Sequence, residues 1–216
     1  CETNSILEIF HKIKHDEVET KNHNRKIISF TLYGDTECYR TGFIENLSLC
    51  DKYYPDFEIF LYCNDPDPEI LKHPKLTVLK IPDDIPPMAA RLIPVNENKG
   101  DLVLFIYCVS IVIMREALAV DEFIKSGKTL HTMHDHPYHL KPIMGGMFAL
   151  NCHNLPDLNL VDCGSNYMDD ENLLQSTVWP RLKSDYFNHG RDRQFPIQLE
   201  DERYFVGCQI RNCVHN

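Results

Sequence analysis

The sequence predicts an α/β fold, a single domain whose mainly parallel sheet is flanked by helices. Apolar strand-like segments alternate with helical segments along most of the 216 residues, and this alternation is typical of α/β domains. The strand segments are mainly apolar, as parallel strands covered by helices on both faces are. A composition of 43% hydrophobic and 25% charged residues is that of a globular chain with one sizeable core.

The elements follow in order after a polar lead-in or linker over residues 1–25, so the domain is assigned to residues 26–216. Strands are predicted, in chain order, over residues 27–33, 57–63, 76–81, 102–109, 130–133 and 147–151. Helices are predicted over residues 39–54, 69–72, 115–126 and 170–179. Gly127 is expected to end the third of these helices, and Pro180 the fourth.

Charge and hydropathy exclude two classes of partner. The formal net charge is −10, whereas binding a nucleic-acid backbone requires a concentrated basic face, so no nucleic acid is expected. The longest uncharged run, residues 102–114, is well short of the roughly 20 apolar residues of a spanning helix, so no membrane span is expected in this fragment. The chain begins at Cys1 rather than Met, and we expect an N-terminal portion to precede it, which leaves the localisation open.

Nine cysteines without a CxxC pair argue against a structural zinc knuckle. They are consistent with buried thiols, or with a few disulfides plus one odd thiol. The pairs closest in sequence, Cys152 with Cys163 and Cys208 with Cys213, are the ones expected to form bridges.

The carboxyl ends of parallel strands are where α/β sheets bind ligands. This rule gives functional weight to residues 30–34, 63–65, 108–110 and 133–139. The histidines of the last segment also allow a metal-site interpretation, because imidazole is a good ligand for Zn²⁺. Packing and polar positioning are the favoured roles of these histidines.

Short motifs in collinear order form a stronger signal than any one of them alone. They are ISFTLYG (28–34), YRTGFIEN (39–46), REA (115–117), DHP (135–137), MGGM (144–147), WP (179–180) and FVG (205–207), together with His189. Together they resemble a family of small GT-A-type glycosyltransferases found in bacteria and large DNA viruses. The resemblance implies a GT-A-like fold, a nucleotide-sugar donor, a carbohydrate acceptor and a divalent metal.

The metal-binding motif of that family is degenerate in this chain. The fourth strand should end in Arg-Asp-x-Asp-Ser, whose carboxylates hold Mg²⁺ or Mn²⁺ against the leaving diphosphate. The aligned residues are Ile106-Tyr107-Cys108-Val109-Ser110, and neither Tyr107 nor Val109 can replace a carboxylate for a hard cation. Three further departures are Ala90 for Trp, His134 for Arg and Gly190 for Asp. No metal site is therefore assigned, and no cofactor is required beyond a nucleotide-sugar donor if the protein is active.

The resemblance still implies a set of site residues. It assigns cofactor binding to Thr31, Leu32, Tyr33, Gly34, Arg91, Ser110, His134, His136, Gly145, Gly146 and His189. Asp135 and Asp170 are the candidate catalytic bases, since a carboxylate in hydrogen-bond reach can take the acceptor proton. Each of them has a second interpretation as a structural hydrogen-bond acceptor.

Two functions are compatible with these observations. The favoured one is a glycosyltransferase-fold pseudoenzyme or binding module, impaired in metal-dependent catalysis and available to a protein partner. The alternative is an active metal-independent glycosyltransferase that moves a sugar from a nucleotide-sugar donor to a carbohydrate acceptor. In that enzyme Arg91, His134 and backbone N–H groups would meet the charge of the leaving group. A site filled by Tyr107 and Val109 favours the first, and a donor-shaped cavity open to solvent favours the second.

Overall fold

The computed structural model describes residues 25–97, 102–152, 155–198 and 204–209. The predicted lead-in, apart from Arg25, lies outside these ranges. Within them, seven strands form one sheet in the order β3-β2-β1-β4-β6-β5-β7. The strands are β1 (Lys26–Thr31), β2 (Glu58–Tyr62), β3 (Leu76–Leu79), β4 (Leu102–Ile106), β5 (Leu130–Met133), β6 (Met147–Asn151) and β7 (Tyr186–His189).

Strand direction agrees with the predicted mainly parallel sheet. β6 runs antiparallel to both of its neighbours, and the other paired strands are parallel. The carboxyl ends of β1, β4, β5 and β7 therefore lie along the same edge. The α/β fold class is confirmed, with six of the seven strands predicted and β7 missed.

Helices cover both faces of this sheet. Within the described residues they are α1 (Glu37–Tyr53), α2 (Ile93–Glu97), α3 (Met114–Ser126), α4 (Asp169–Leu173) and α5 (Trp179–Leu182), with 3-10 turns at Ile70–Lys72, Pro87–Leu92 and Leu160–Asp162. One hydrophobic cluster packs α1 and α3 against the sheet. A second cluster packs the segment from Pro87 to α2, together with α4 and α5, on the opposite face. α3 ends at Gly127, whose φ of 66° is left-handed, as predicted.

The prediction that Pro180 ends the fourth helix is wrong. Helical backbone continues from α4 through a π-helical segment, Leu174–Val178, into α5, and the N–H of Lys183 still donates to the carbonyl of Trp179 at 3.0 Å. Pro180 falls in the first turn of α5, where a missing N–H costs little. The wider π turn before it separates the proline ring from the preceding regular helix.

The predicted disulfides are also wrong. Cys152, Cys163 and Cys208 are buried and are not disulfide-bonded, so they form neither the Cys152–Cys163 nor the Cys208–Cys213 bridge. Cys213 itself lies outside the described residues. Closeness in sequence does not supply the specific Cα and Cβ geometry that a disulfide needs, and these thiols instead pack as small apolar side chains. Cys38, near the start of α1, is disulfide-bonded.

None of the helices in the described part of the chain combines the length and the apolar character needed to cross a bilayer.

A buried carboxyl group lies between α1 and α3. Glu116 is 2% exposed and accepts a hydrogen bond from the hydroxyl of Tyr54 at 2.9 Å. Burial raises the pKa of Glu116 to about 8, although the hydrogen bond from Tyr54 acts in the opposite direction. The side chain is therefore mostly protonated in the folded protein at neutral pH.

Glu116→Gln is expected to weaken the pH dependence of stability. Because the folded pKa lies above the unfolded value, stability from this group is fully present below about pH 4 and is lost as the pH rises towards about 8. Glutamine keeps an oxygen acceptor for Tyr54 and does not titrate. Relative to wild type, the variant should therefore gain about 2–3 kcal/mol in free energy of unfolding between about pH 5 and pH 7, measured by urea denaturation. Glu45→Gln, at an exposed α1 position, is the control, and a Glu116→Gln profile parallel to it would contradict the prediction.

Candidate functional site

The candidate site begins where β1 and β4 end. Thr31 closes β1, and Leu32 is buried, with its N–H donating to the carbonyl of Tyr62 at 2.9 Å. Tyr33 and Gly34 follow as exposed residues, and Gly34 adopts a left-handed φ of 76°. The thiol of Cys108 donates to the carbonyl of Thr31 at 3.1 Å, which ties the loop after β4 to the end of β1.

The turn after β4 is fixed by a buried amide from α1. Asn46 donates to the carbonyls of Cys108 at 3.2 Å and Ser110 at 2.8 Å, and accepts from the N–H of Val112 at 3.0 Å. Ser110 is buried and pairs with Gln209 in an isolated β-bridge. The predicted strand over residues 102–109 therefore ends early, at Ile106, because the following residues turn under α1.

An arginine–aspartate pair lies at the centre of the site. Arg91 and Asp170 are 2% and 4% exposed, and the Nη2 of Arg91 donates to Oδ2 of Asp170. The hydroxyl of Tyr107 donates to the same oxygen at 3.0 Å, and its ring centroid lies 4.6 Å from the guanidinium carbon. Although burial alone raises the pKa of Asp170, the charge and hydrogen bond of Arg91 lower it below its ordinary value. The aspartate is therefore ionised and already paired.

The other donors of Arg91 are also taken up within the fold. Its Nε and Nη2 donate to the carbonyl of Gly145 at 3.2 and 2.9 Å, and its Nη1 donates to the carbonyl of Met88. The carbonyl of Arg91 accepts from the hydroxyl of Ser29 at 2.7 Å. Four of the five guanidinium N–H groups thus have partners, and the arginine joins its own 3-10 turn, the Gly145 loop and α4.

Tyr107 fills the space beside the glycine pair. A Cβ atom at Gly146 would overlap the Tyr107 ring, and one at Gly145 would overlap its hydroxyl. The N–H of Gly145 donates to Glu171 at 3.0 Å, so the loop is held from the other side as well. Val109 is buried among Cys38, Tyr39, Tyr107 and Ile111. Tyr107 and Val109, the two positions at which the resemblance would place carboxylates, therefore hold packed side chains.

The residues present do not fit the divalent metal that the resemblance implies. A hard cation needs several oxygen ligands, but Oδ2 of Asp170 is occupied by Arg91 and Tyr107. Glu171 accepts from Gly145 and lies 3.5 Å from Nζ of Lys141. Among the described residues, no group of three histidine, cysteine, aspartate or glutamate side chains could hold a metal ion.

His134 follows β5 and is held in one neutral tautomer. The amide nitrogen of Asn188 is a donor, so Nδ1 of His134 accepts from it at 2.7 Å, and Nε2 donates to the carbonyl of Lys141 at 2.7 Å. Burial lowers the pKa of His134, in agreement with a neutral ring.

Asp135 forms the second ion pair of the site. Its carboxylate accepts two hydrogen bonds from Arg115, at 2.8 and 2.7 Å, and one from the N–H of Val206 at 2.9 Å. Its own N–H donates to Nδ1 of His139 at 3.1 Å. Through these contacts the carboxylate links Arg115 to the segment that contains Val206. Its role as a catalytic base stays a prediction.

His136 and His189 have different surroundings. His136 is half-buried, with its ring centroid 4.4 Å from that of Phe205. His189 is fully buried in β7, with Nδ1 2.9 Å from His131 and Nε2 3.1 Å from Glu122. Burial lowers the pKa of His189, although Glu122 opposes this effect. Its contacts are with the core and with α3 rather than with the Arg91–Asp170 pair.

The structure thus divides the predicted site residues into two groups. Arg91, Asp170 and the glycine pair form one network with Tyr107, close to the end of β1. His134, Asp135 and His136 lie at the ends of β5 and β7. Their binding and catalytic roles stay predictions.

A cleft that the sequence analysis missed opens beside the second group. It has a volume of about 430 Å³ and is lined on one side by residues 134–137 and on the other by residues 190–195. Its arginines are Arg115, Arg191 and Arg193, and we call it the arginine cleft. The run RDRQ at residues 191–194 could have indicated an anion-binding site. It could be placed at a strand end only if β7 had been predicted.

The fold defines the class of this protein: it is a single α/β domain of the GT-A-like type, as predicted. TarS of S. aureus, residues 1–349, is similar with a TM-score of 0.52 and 10% sequence identity over 79% of this chain. The similarity covers 59% of that TarS structure, so this chain spans less than two thirds of it.

Two other solved structures show weaker similarity. A glycosyltransferase involved in the glycosylation of the major capsid of PBCV-1 has a TM-score of 0.46 and 14% identity, over 76% of this chain and 81% of that one. The bifunctional IspDF of Campylobacter jejuni has a TM-score of 0.43 and 8% identity, over 81% of this chain and 52% of that one. No family model matches the sequence, and no curated protein matches it. At these identities the similarity extends to the fold alone.

Proposed function

We propose that this protein is a glycosyltransferase-fold binding module that does not carry out metal-dependent sugar transfer. The observation that carries the proposal is Tyr107, which occupies the place beside Gly145 and Gly146 and donates to the carboxylate of Asp170. Arg91 is committed to the same carboxylate and to backbone carbonyls. A site whose charged groups satisfy one another inside the fold is built for stability rather than for metal-assisted departure of a diphosphate.

The sheet edge at which β1 and β4 end also has a solvent-exposed part, near Tyr33. The ligand that we assign to this part is the base of a nucleotide. Tyr33 is 44% exposed and Tyr167 is 89% exposed. Tyr39 lies close enough to each of these tyrosines for their ionised forms to repel each other. Burial raises the pKa of Tyr33 and of Tyr39, and this repulsion raises both further. Tyr33 follows β1 and Tyr167 precedes α4. Exposed aromatic rings such as these provide stacking surfaces for a base, and stacking requires no metal. We therefore expect the protein to bind nucleotides with an affinity that does not depend on a metal ion.

The second candidate function is metal-independent transfer of a sugar, and Asp170 is the observation that favours it. Its carboxylate is ionised, as a general base must be, although its lowered pKa also makes it a weaker base. In the folded protein, however, that carboxylate already accepts from Arg91 and Tyr107. Catalysis would require one of these two contacts to open when the substrate binds.

Calorimetric titration with UDP, GDP and their sugar conjugates, with Mn²⁺ or with EDTA, tests the proposal. We expect the same affinity in both conditions and no release of nucleotide diphosphate during incubation with donor and saccharide. Tyr33→Ala should weaken binding about tenfold, because base stacking on an aromatic ring contributes about 1–3 kcal/mol. The matched control is Tyr138→Ala, an exposed tyrosine in another loop, which should leave nucleotide affinity unchanged.

Three outcomes would contradict the proposed function. Binding that requires Mn²⁺ would mean that a metal site forms in spite of Tyr107 and Val109. Release of nucleotide diphosphate in EDTA would favour the metal-independent enzyme. The absence of binding by every nucleotide would remove the nucleotide-binding part of the proposal.

A further inference from the structure

We infer that the arginine cleft binds the anionic group of an acidic carbohydrate, at a site separate from the nucleotide-binding edge proposed above. The inference that the cleft binds an anion rests on the arginines alone. The inference that this anion belongs to a carbohydrate rests on the proposed function. The cleft is concave, has a volume of about 430 Å³ and is formed by the loops after β5 and β7. It is open to solvent and large enough to hold a sugar unit between its two walls.

The charges that line the cleft leave two arginines without a carboxylate partner. Of its two aspartates, Asp135 is paired with Arg115, and Asp192 accepts a hydrogen bond from the hydroxyl of Tyr186. Within the described parts of the chain, neither Arg191 nor Arg193 forms a salt bridge. A local excess of positive charge in a chain of net charge −10 favours an anionic ligand at this place.

Other contacts hold both arginines in position before any anion arrives. The Nη2 of Arg191 donates to the carbonyls of His139 and Leu140, each at 2.8 Å. The guanidinium carbon of Arg193 lies 3.7 Å from the ring centroid of Phe187. Because Arg191 uses only one of its three nitrogens, the donors on Nε and Nη1 are left for a ligand. Preorganised guanidinium groups lose less side-chain entropy when they bind an oxyanion.

The remaining lining fits the neutral part of a saccharide. Gln194, Gln198 and His136 present amide and imidazole groups to the cleft, which can donate to and accept from sugar hydroxyls. The base is formed by Phe195, which is buried and stacks under Arg115 at 4.2 Å. An aromatic base with polar walls and two available guanidinium groups suits a sugar that carries a carboxylate or a sulfate.

Titration of the full chain with matched oligosaccharides tests this inference. The probes are a hyaluronan tetrasaccharide, which carries carboxylates, neutral chitotetraose, and inorganic sulfate and phosphate. We expect the hyaluronan tetrasaccharide to bind most tightly, with an affinity that falls as salt rises. Arg191→Gln/Arg193→Gln should weaken this binding on the order of tenfold or more, since hydrogen bonds to charged groups contribute about 1.5–3 kcal/mol each. Arg181→Gln, at an exposed position on α5, is the control and should bind as wild type does.

Each alternative result overturns a defined part of the inference. Equal affinity for chitotetraose would contradict the claim that charge is recognised. Equal affinity for inorganic sulfate or phosphate would contradict the claim that the ligand is a carbohydrate. Unchanged hyaluronan binding by the double variant would place the site elsewhere. If the double variant does not fold, Arg193→Gln alone replaces it and is expected to weaken binding in the same direction. Tyr33→Ala should affect only nucleotide binding, and the arginine variants only saccharide binding, so the two proposals can fail independently.

Discussion

Arg91→Ala is expected to lower the free energy of unfolding by about 3–5 kcal/mol, because removal of one partner leaves a charge buried without compensation. The orphaned group is Asp170, which is 4% exposed. The carbonyls of Gly145 and Met88 lose their donor in the same variant. Urea denaturation at neutral pH gives the difference as a shift in the midpoint, provided that the slope is unchanged.

Arg40→Ala is the matched control for this prediction. Arg40 lies 3.4 Å from Asp65, whose side chain is 94% exposed, so its loss should cost no more than about 1 kcal/mol. Arg91→Ala/Asp170→Asn removes the orphaned charge as well and should recover part of the loss. If Arg91→Ala were no more destabilising than the control, the Arg91–Asp170 pair could not be the centre of a buried network whose polar groups bond to one another.

The sequence predicted most of the fold because strand and helix signals are local. Mainly apolar runs mark β1, β2 and β4, and they can be recognised without any knowledge of what lies beside them. β7 was missed because its last two residues, Asn188 and His189, are polar. Their partners, Thr132, His134 and His131, lie more than 50 residues away. A short strand whose polar groups are satisfied by distant residues gives no local hydrophobic signal.

The sequence named positions for the candidate site, whose roles stay predictions, but it could not give the contacts of these residues. The resemblance named Arg91 and Asp170 and marked Tyr107 and Val109 as departures from the family's pattern, whereas the strand-end rule selected residues 30–34 and 108–110. The sequence could not tell where the Tyr107 ring goes, because its partner Asp170 is 63 residues away and the glycines that admit it follow another strand. The arginine cleft was missed for the same reason, since Arg191 and Arg193 look like ordinary exposed residues until β7 places them beside the loop after β5.

Gly146→Ala is expected to destabilise the protein by about 2–3 kcal/mol, the upper part of the range for overpacking a filled site. The new methyl group would overlap three ring atoms of Tyr107. Gly146 is not among the residues with positive φ, so the cost comes from the ring rather than from the backbone. Tyr107→Ala should remove this conflict. In that background, the additional cost of Gly146→Ala should fall to about zero, a coupling that a double-mutant cycle measures by urea denaturation.

Gly34→Ala provides the contrast that separates this mechanism from a general intolerance of alanine. Its Cβ would meet no atom within 4 Å, but its φ of 76° is unfavourable for alanine, so we expect a backbone cost of about 1 kcal/mol. That cost does not involve Tyr107 and should be the same with and without the ring. If Gly146→Ala were equally insensitive to Tyr107→Ala, the ring would not fill the place beside the glycines. Coupling at Gly146 and additivity at Gly34 would together support a packing role for Tyr107, at a position where the resemblance would place a metal-binding carboxylate.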